Sequence, residues 1–175
     1  MRRARIGATF NFYRDGEGAE ARCERLLAYL SARRDARLLL VGEAPGYRGA
    51  RISGIPFTSE RLLTGSGPAE ATATIVHRVL AELGIKEDVL LWNVVPTHPG
   101  TETSNRRPTR AEVEAGLPFL RELGRVRRTI AVGRLAHSVL GGPYVRHPSH
   151  GGADAFGAAM QRLSLGRGTA RLPSC

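Results

Sequence analysis

Two short segments of this 175-residue chain carry side chains suited to chemistry. Gly42-Glu43-Ala44-Pro45-Gly46 holds a single carboxylate on a turn just past an apolar run, where an α/β sheet usually does its chemistry. His147-Pro148-Ser149-His150 places an imidazole and a hydroxyl on a tight turn late in the chain. Between them, Asn93 closes the apolar run Val89–Val95, and an amide there either satisfies loop backbone or reads a ligand edge. Phe57, in Gly54-Ile55-Pro56-Phe57, is either a lid over a pocket or a plug in the core. The chemistry matters only if the fold brings these residues together.

The surrounding pattern predicts that it does. Leu38-Leu39-Leu40-Val41 is apolar without alternation, as expected of a strand buried on both faces of a parallel sheet. It ends directly at Glu43, where open α/β sheets place their ligand crevice. The spacing predicts a helix over 19–32 with Cys23, Leu26, Leu27 and Leu30 inward and Arg22, Arg25, Arg33 and Arg34 on the other face. A strand over 37–42 leads to a long loop, 43–66, too polar for the core and of a length usually reserved for function. Pro68 opens a helix that carries Ile75, Val76, Val79, Leu80 and Leu83 and stops at Gly84.

A second strand, 89–95, precedes the capping box Thr109-Arg110-Ala111-Glu112. That box starts a helix closed by Gly124, with a kink or early end at Pro118. A strand over 128–132, a short helix to Leu140, a strand over 143–147 and a helix from Ala153 complete the alternation. Right-handed crossovers then give one domain over 1–175, a three-layer α/β/α fold around a four-stranded parallel sheet.

Composition narrows the partner. With 26 Lys and Arg against 16 Asp and Glu, the net charge is +10 and the pI about 11.0, which points to a polyanion. Lys86 is the only lysine, so genomic preference for Arg codons explains Arg over Lys but not the surplus over acids. Two cysteines, Cys23 and Cys175, cannot furnish a four-ligand zinc or iron–sulfur site, so no metal or cofactor is expected. Cys23 reads as a buried thiol. No apolar run approaches the ~20 residues of a membrane span, so a soluble, cytoplasmic monomer is expected. His77 and His137 fall within helices and read as structural, whereas His98 shares a loop with Asn93. Ser149 and His147, two residues apart, are poorly disposed as nucleophile and base, and there is no G-x-S-x-G elbow.

Strand-GEAPG, the Gly-Ile-Pro-Phe loop, strand-Asn93-Val94-Val95, Ser104-Asn105-Arg106-Arg107-Pro108-Thr109 before a helix, and strand-His147-Pro148-Ser149 together resemble the uracil-DNA glycosylase superfamily. The likeness runs from about Leu38 to Ser149. It implies that superfamily's fold and its reaction, hydrolysis of the bond joining uracil to deoxyribose. The base would be flipped out of the helix to be read. The resemblance implies uracil binding by Gly42, Tyr47, Phe57, Asn93 and His147, with Glu43 and His147 catalytic. Pro45, Arg107, Ser149 and His150 would contact DNA.

The departures are also specific. Cluster-bearing members with this motif carry four cysteines and acidic residues soon after it, where this chain has Tyr47-Arg48-Gly49. Members with a water-activating aspartate have it where Ala44 stands. Some exclude thymine with a tyrosine at the position of Gly46, and Tyr47 lies one residue away. No bulky apolar wedge follows His147-Pro148-Ser149, so single-stranded DNA containing uracil is the expected substrate. The sequence leaves three rivals: a glycosylase for another deaminated or modified base, a catalytically weak damage-binding protein, and an unrelated α/β hydrolase of nucleosides or nucleotides.

Overall fold

The computed structural model describes residues 1–149 and 151–165. Four parallel strands form the sheet: β1 (Leu38–Gly42), β2 (Val89–Asn93), β3 (Arg128–Val132) and β4 (Tyr144–Val145), in the order β2-β1-β3-β4. All five residues of β1 and of β2 are buried, which is why neither run alternates in polarity.

Alternate side chains divide between two cores. Leu39, Val41, Leu90, Trp92 and Ala131 face α1 (Ala19–Ala32), α5 (Arg110–Gly124) and α6 (Arg134–Leu140), together with Phe12 and Tyr13. Leu38, Leu40, Leu91, Ile130 and Val132 face α4 (Ala71–Glu82) and α7 (Ala153–Leu165). Helices therefore cover both faces of the sheet, the expected three layers. No helix among the described residues is long and apolar enough to cross a membrane.

Several local expectations need correction. The 43–66 segment holds two short helices, α2 (Ala50–Ser53) and α3 (Glu60–Thr64), and residues 53–59 are buried throughout. Two of the hydroxyls that made it look too polar are satisfied internally, whereas the buried Ser59 hydroxyl has no partner among the described residues. Ser53 Oγ donates to the Thr58 carbonyl at 2.6 Å, and Thr58 Oγ1 donates to the Pro56 carbonyl at 3.1 Å. On α1, Leu26 is buried but Leu27 is 62% exposed and Cys23 is half-buried. Two arginines assigned to the outer face turn inward instead. Arg22 Nε donates to the Phe12 carbonyl at 2.6 Å, and Arg25 makes a bidentate pair with Glu60 at 2.9 and 3.0 Å.

Helix α4 begins at Ala71 rather than Pro68, because the preceding Glu70 is extended (φ −127°, ψ 122°). It does stop as expected. Gly84 sits at φ 64°, and the Ile85 amide reaches back to the Leu80 carbonyl at 3.0 Å, a closure that needs a left-handed residue. Strand β2 ends at Asn93 and β4 is only two residues long, both shorter than their apolar runs. Pro118 does not end α5, which continues to Gly124.

Candidate active site

Chain direction sets the site. From β1 the chain crosses to β2, and from β3 it leaves for β4 on the opposite side. Adjacent strands whose connections diverge leave a crevice at their carboxyl ends. Glu43 and Gly133 directly follow β1 and β3, Asn93 ends β2, and His147 follows β4 on that same rim. The rim is rigid: the amides of Val94 and Val95 donate to the carbonyls of Gly42 and Glu43 at 2.9 and 3.0 Å.

Gly42 is the floor. A Cβ there would overlap Phe57 Cζ and fall 2.9 Å from Asn93 Oδ1. The phenyl ring and the carboxamide thus converge on one point, and only glycine leaves room for both. Asn93 is 4% exposed, and among the described residues no group hydrogen-bonds its carboxamide. A buried amide left without protein partners is costly unless a ligand or water completes it. Phe57 is 8% exposed and packs with Leu40, Val76 and Val79, so it plugs the lower core while its ring edge reaches Gly42. Among the described residues it is the one non-glycine at positive φ, 52°. Such a conformation costs about 1–3 kcal/mol and tends to persist where function over-determines it.

Glu43 is half-buried. Desolvation pushes its carboxyl above the usual range, and the Arg107 guanidinium opposes that shift. Arg107, expected only as a DNA contact, therefore also bears on the Glu43 carboxylate. Its neighbour Arg106 is fixed by a bidentate pair with Glu112, 1% exposed, whose carboxyl is lowered to about 2, chiefly by that arginine. Glu112 simultaneously completes the capping box: it accepts the Thr109 amide at 2.8 Å, and Thr109 Oγ1 accepts the Glu112 amide at 3.3 Å.

The backbone amide of Ser149 donates to His147 Nδ1 at 3.2 Å, and Ser149 Oγ lies 2.8 Å from the same nitrogen. The two side chains meet within their own turn. An amide can only donate, so Nδ1 is the acceptor and the proton of the neutral ring belongs to Nε2. Gly133 packs 3.5 Å from His147 Cβ, counting from where its own Cβ would be. His150 lies outside the described residues, as does Cys175.

Pro45, expected at DNA, is buried, and its carbonyl lies 2.8 Å from His98 Nδ1. His98, fully buried, reaches the Thr101 carbonyl through Nε2 at 2.8 Å, and its backbone bridges Phe10. Tyr47 is half-buried, with its amide donating to Asn105 Oδ1 at 2.9 Å and Arg48 lying over its ring at 5.5 Å. The 98–109 loop thus ties down the 43–49 turn. Sequence reasoning singled out His98 without a role and missed Asn105. Their partners are some 50 residues away, beyond any local pattern.

Residues 30–167 match the family model described as the uracil DNA glycosylase superfamily. A type-4 uracil-DNA glycosylase of Pyrobaculum aerophilum is 35% identical over 107 residues, covering 59% of this chain. This chain spans 47% of that relative's length. The crystal structure of SMUG2 from Pedobacter heparinus shares the fold, with a TM-score of 0.66 at 14% identity over 93% of this chain and 92% of that one. With the family model covering more than half of its residues, this chain belongs to the uracil DNA glycosylase superfamily.

Proposed function

We propose that this protein is a DNA glycosylase that removes uracil from DNA by hydrolysing its N-glycosidic bond. The observation that carries the reading is the convergence of Phe57 and Asn93 on Gly42, at the strand end that continues into Glu43. A flipped pyrimidine entering there stacks on Phe57. Asn93 Oδ1 accepts the ring N3–H while its amide donates to O4, a pairing that suits uracil and mismatches cytosine. His147 Nε2–H bonds O2, where charge collects as the C1′–N1 bond breaks and its electron pair leaves with the base. The sugar becomes an oxocarbenium ion, which the Glu43 carboxylate stabilises while orienting water toward C1′. Water's oxygen bonds C1′, its proton passes toward Glu43, and solvent protonates the departed base. Arginines such as Arg107 supply phosphate affinity without sequence preference.

An oligonucleotide with one uracil, incubated with the protein and then treated with alkali, tests the proposal. Strand scission at the uracil is the expected outcome. A retarded complex without scission would assign a damage-binding role. Scission only at other deaminated bases would assign a different lesion, and activity only on free nucleosides would overturn the reading.

A further inference from the structure

Phe57 must hold a left-handed backbone for its ring to reach Gly42, and something must oppose relaxation to an ordinary conformation. Three hydrogen bonds close the turn on itself. The Thr58 amide donates to the Ile55 carbonyl at 3.2 Å, Thr58 Oγ1 to the Pro56 carbonyl, and Ser53 Oγ to the Thr58 carbonyl. Thr58 Oγ1 also reaches outside the turn: His77 Nε2 lies 3.0 Å from it. His77 stands on α4, which Val76, Val79 and Leu80 anchor in the lower core. The ring therefore ties a rigid helix to the residue that directly follows the one strained position of the candidate pocket.

We propose that His77 is a positioning residue for base recognition, holding Phe57 in the left-handed conformation that sets its ring beside Asn93. This rests on reading Phe57 and Asn93 as the base pocket. Burial lowers the ring's pKa to about 4, so at neutral pH it bridges as an uncharged group. An aliphatic side chain could fill the space but not bond the turn. A glutamine keeps a donor and an acceptor.

The test is a double-mutant cycle with His77→Leu, His77→Gln and Phe57→Ala, read as single-turnover kcat/KM on a single-stranded uracil oligonucleotide. His77→Leu is expected to lower kcat/KM about tenfold (~1.4 kcal/mol), mainly through KM, with His77→Gln restoring most of the loss. In the Phe57→Ala background, His77→Leu should change little, because its effect passes through the ring. Crystal structures of the two His77 variants report φ at Phe57 without requiring activity. Should His77→Leu fail to fold, the cycle is run with His77→Gln and His77→Asn, which differ in reach to the turn. A left-handed Phe57 and unchanged kinetics in the His77 variants would overturn the proposal, as would equal losses with and without the Phe57 ring. A wild-type protein inactive on uracil, but with Phe57 relaxed in His77→Leu, would instead overturn the substrate reading alone.

Discussion

The amide of Ser149 donates to Nδ1 of His147 at 3.2 Å, so a backbone group that cannot be mutated away sets the tautomer of the ring. Under the proposed function, Nε2 then carries the proton that the leaving base would bond. His147→Ala is expected to slow the chemical step by about 10²–10³ while changing DNA affinity little, since the bond strengthens only as charge develops. Ser149→Ala keeps the amide and should lose no more than a few-fold in the same step. Parallel losses in affinity and single-turnover rate for His147→Ala would contradict the assignment.

Asn93→Asp tests the reading edge. The change keeps an acceptor for N3–H and removes the donor to O4. Uracil removal should fall at least about tenfold, in line with the 1–3 kcal/mol of a good base-reading pair. Release of uracil and of cytosine from matched oligonucleotides would be measured side by side. Unchanged uracil kinetics would make Asn93 a structural residue that closes β2.

Gly42→Ala probes the floor beneath both groups. Its methyl would overlap the Phe57 ring and crowd Asn93 Oδ1, displacing one of them. Overpacking of this kind costs about 1–3 kcal/mol, so a fall in melting temperature should accompany an activity loss of at least about 10²-fold. Retained activity at lowered stability would show that the base sits elsewhere on the rim.

Which features are legible in the sequence follows from where each signal resides. The strands were legible because β1 and β2 lie between two helical layers, and a strand covered on both faces needs a short, uninterrupted apolar run. That Glu43, Asn93 and His147 share one rim was legible because all three lie at or just past the carboxyl ends of parallel strands. The 53–59 segment was not. Its burial depends on Ser53, Thr58 and His77 bonding one another and on Arg25 pairing with Glu60, 35 residues apart. Single-sequence periodicity on α1 likewise could not tell that Leu27 faces outward while Arg22 reaches the Phe12 carbonyl. Local spacing finds faces; only packing assigns their partners.

Acid should weaken the fold in a way that His77 partly controls. Its pKa falls from 6.5 to about 4 on folding, with burial as the main cause. Above the unfolded value both states are neutral and the group contributes no pH dependence. Between those values the unfolded chain takes up a proton that the folded ring refuses, so stability drops as pH falls; below the folded value the difference is constant. The window spans a loss on the order of 3 kcal/mol. Denaturant titrations of wild type and His77→Gln should show the gap between them shrinking by about that amount as the pH is lowered through the window. A constant gap would mean the imidazole is hydrated in the folded protein.

Single-stranded DNA should be the faster substrate. The turn after His147 runs through Gly151, at φ 72°, and Gly152, buried with its amide on the Ser149 carbonyl at 3.1 Å. Neither glycine has a side chain to fill the gap that a flipped base leaves in a duplex, where DNA-bending proteins insert an apolar wedge. Extrusion costs a few kcal/mol for a paired base and least for an unpaired one. Each ~1.4 kcal/mol not recovered slows the reaction tenfold. The expected order is therefore single strand, then a U·G mismatch, then a U·A pair. Single-turnover rates on the three substrates at one salt concentration decide it, because salt alone shifts binding by orders of magnitude for a chain of net charge +10. A U·A duplex processed as fast as the single strand would show that another side chain supplies the wedge.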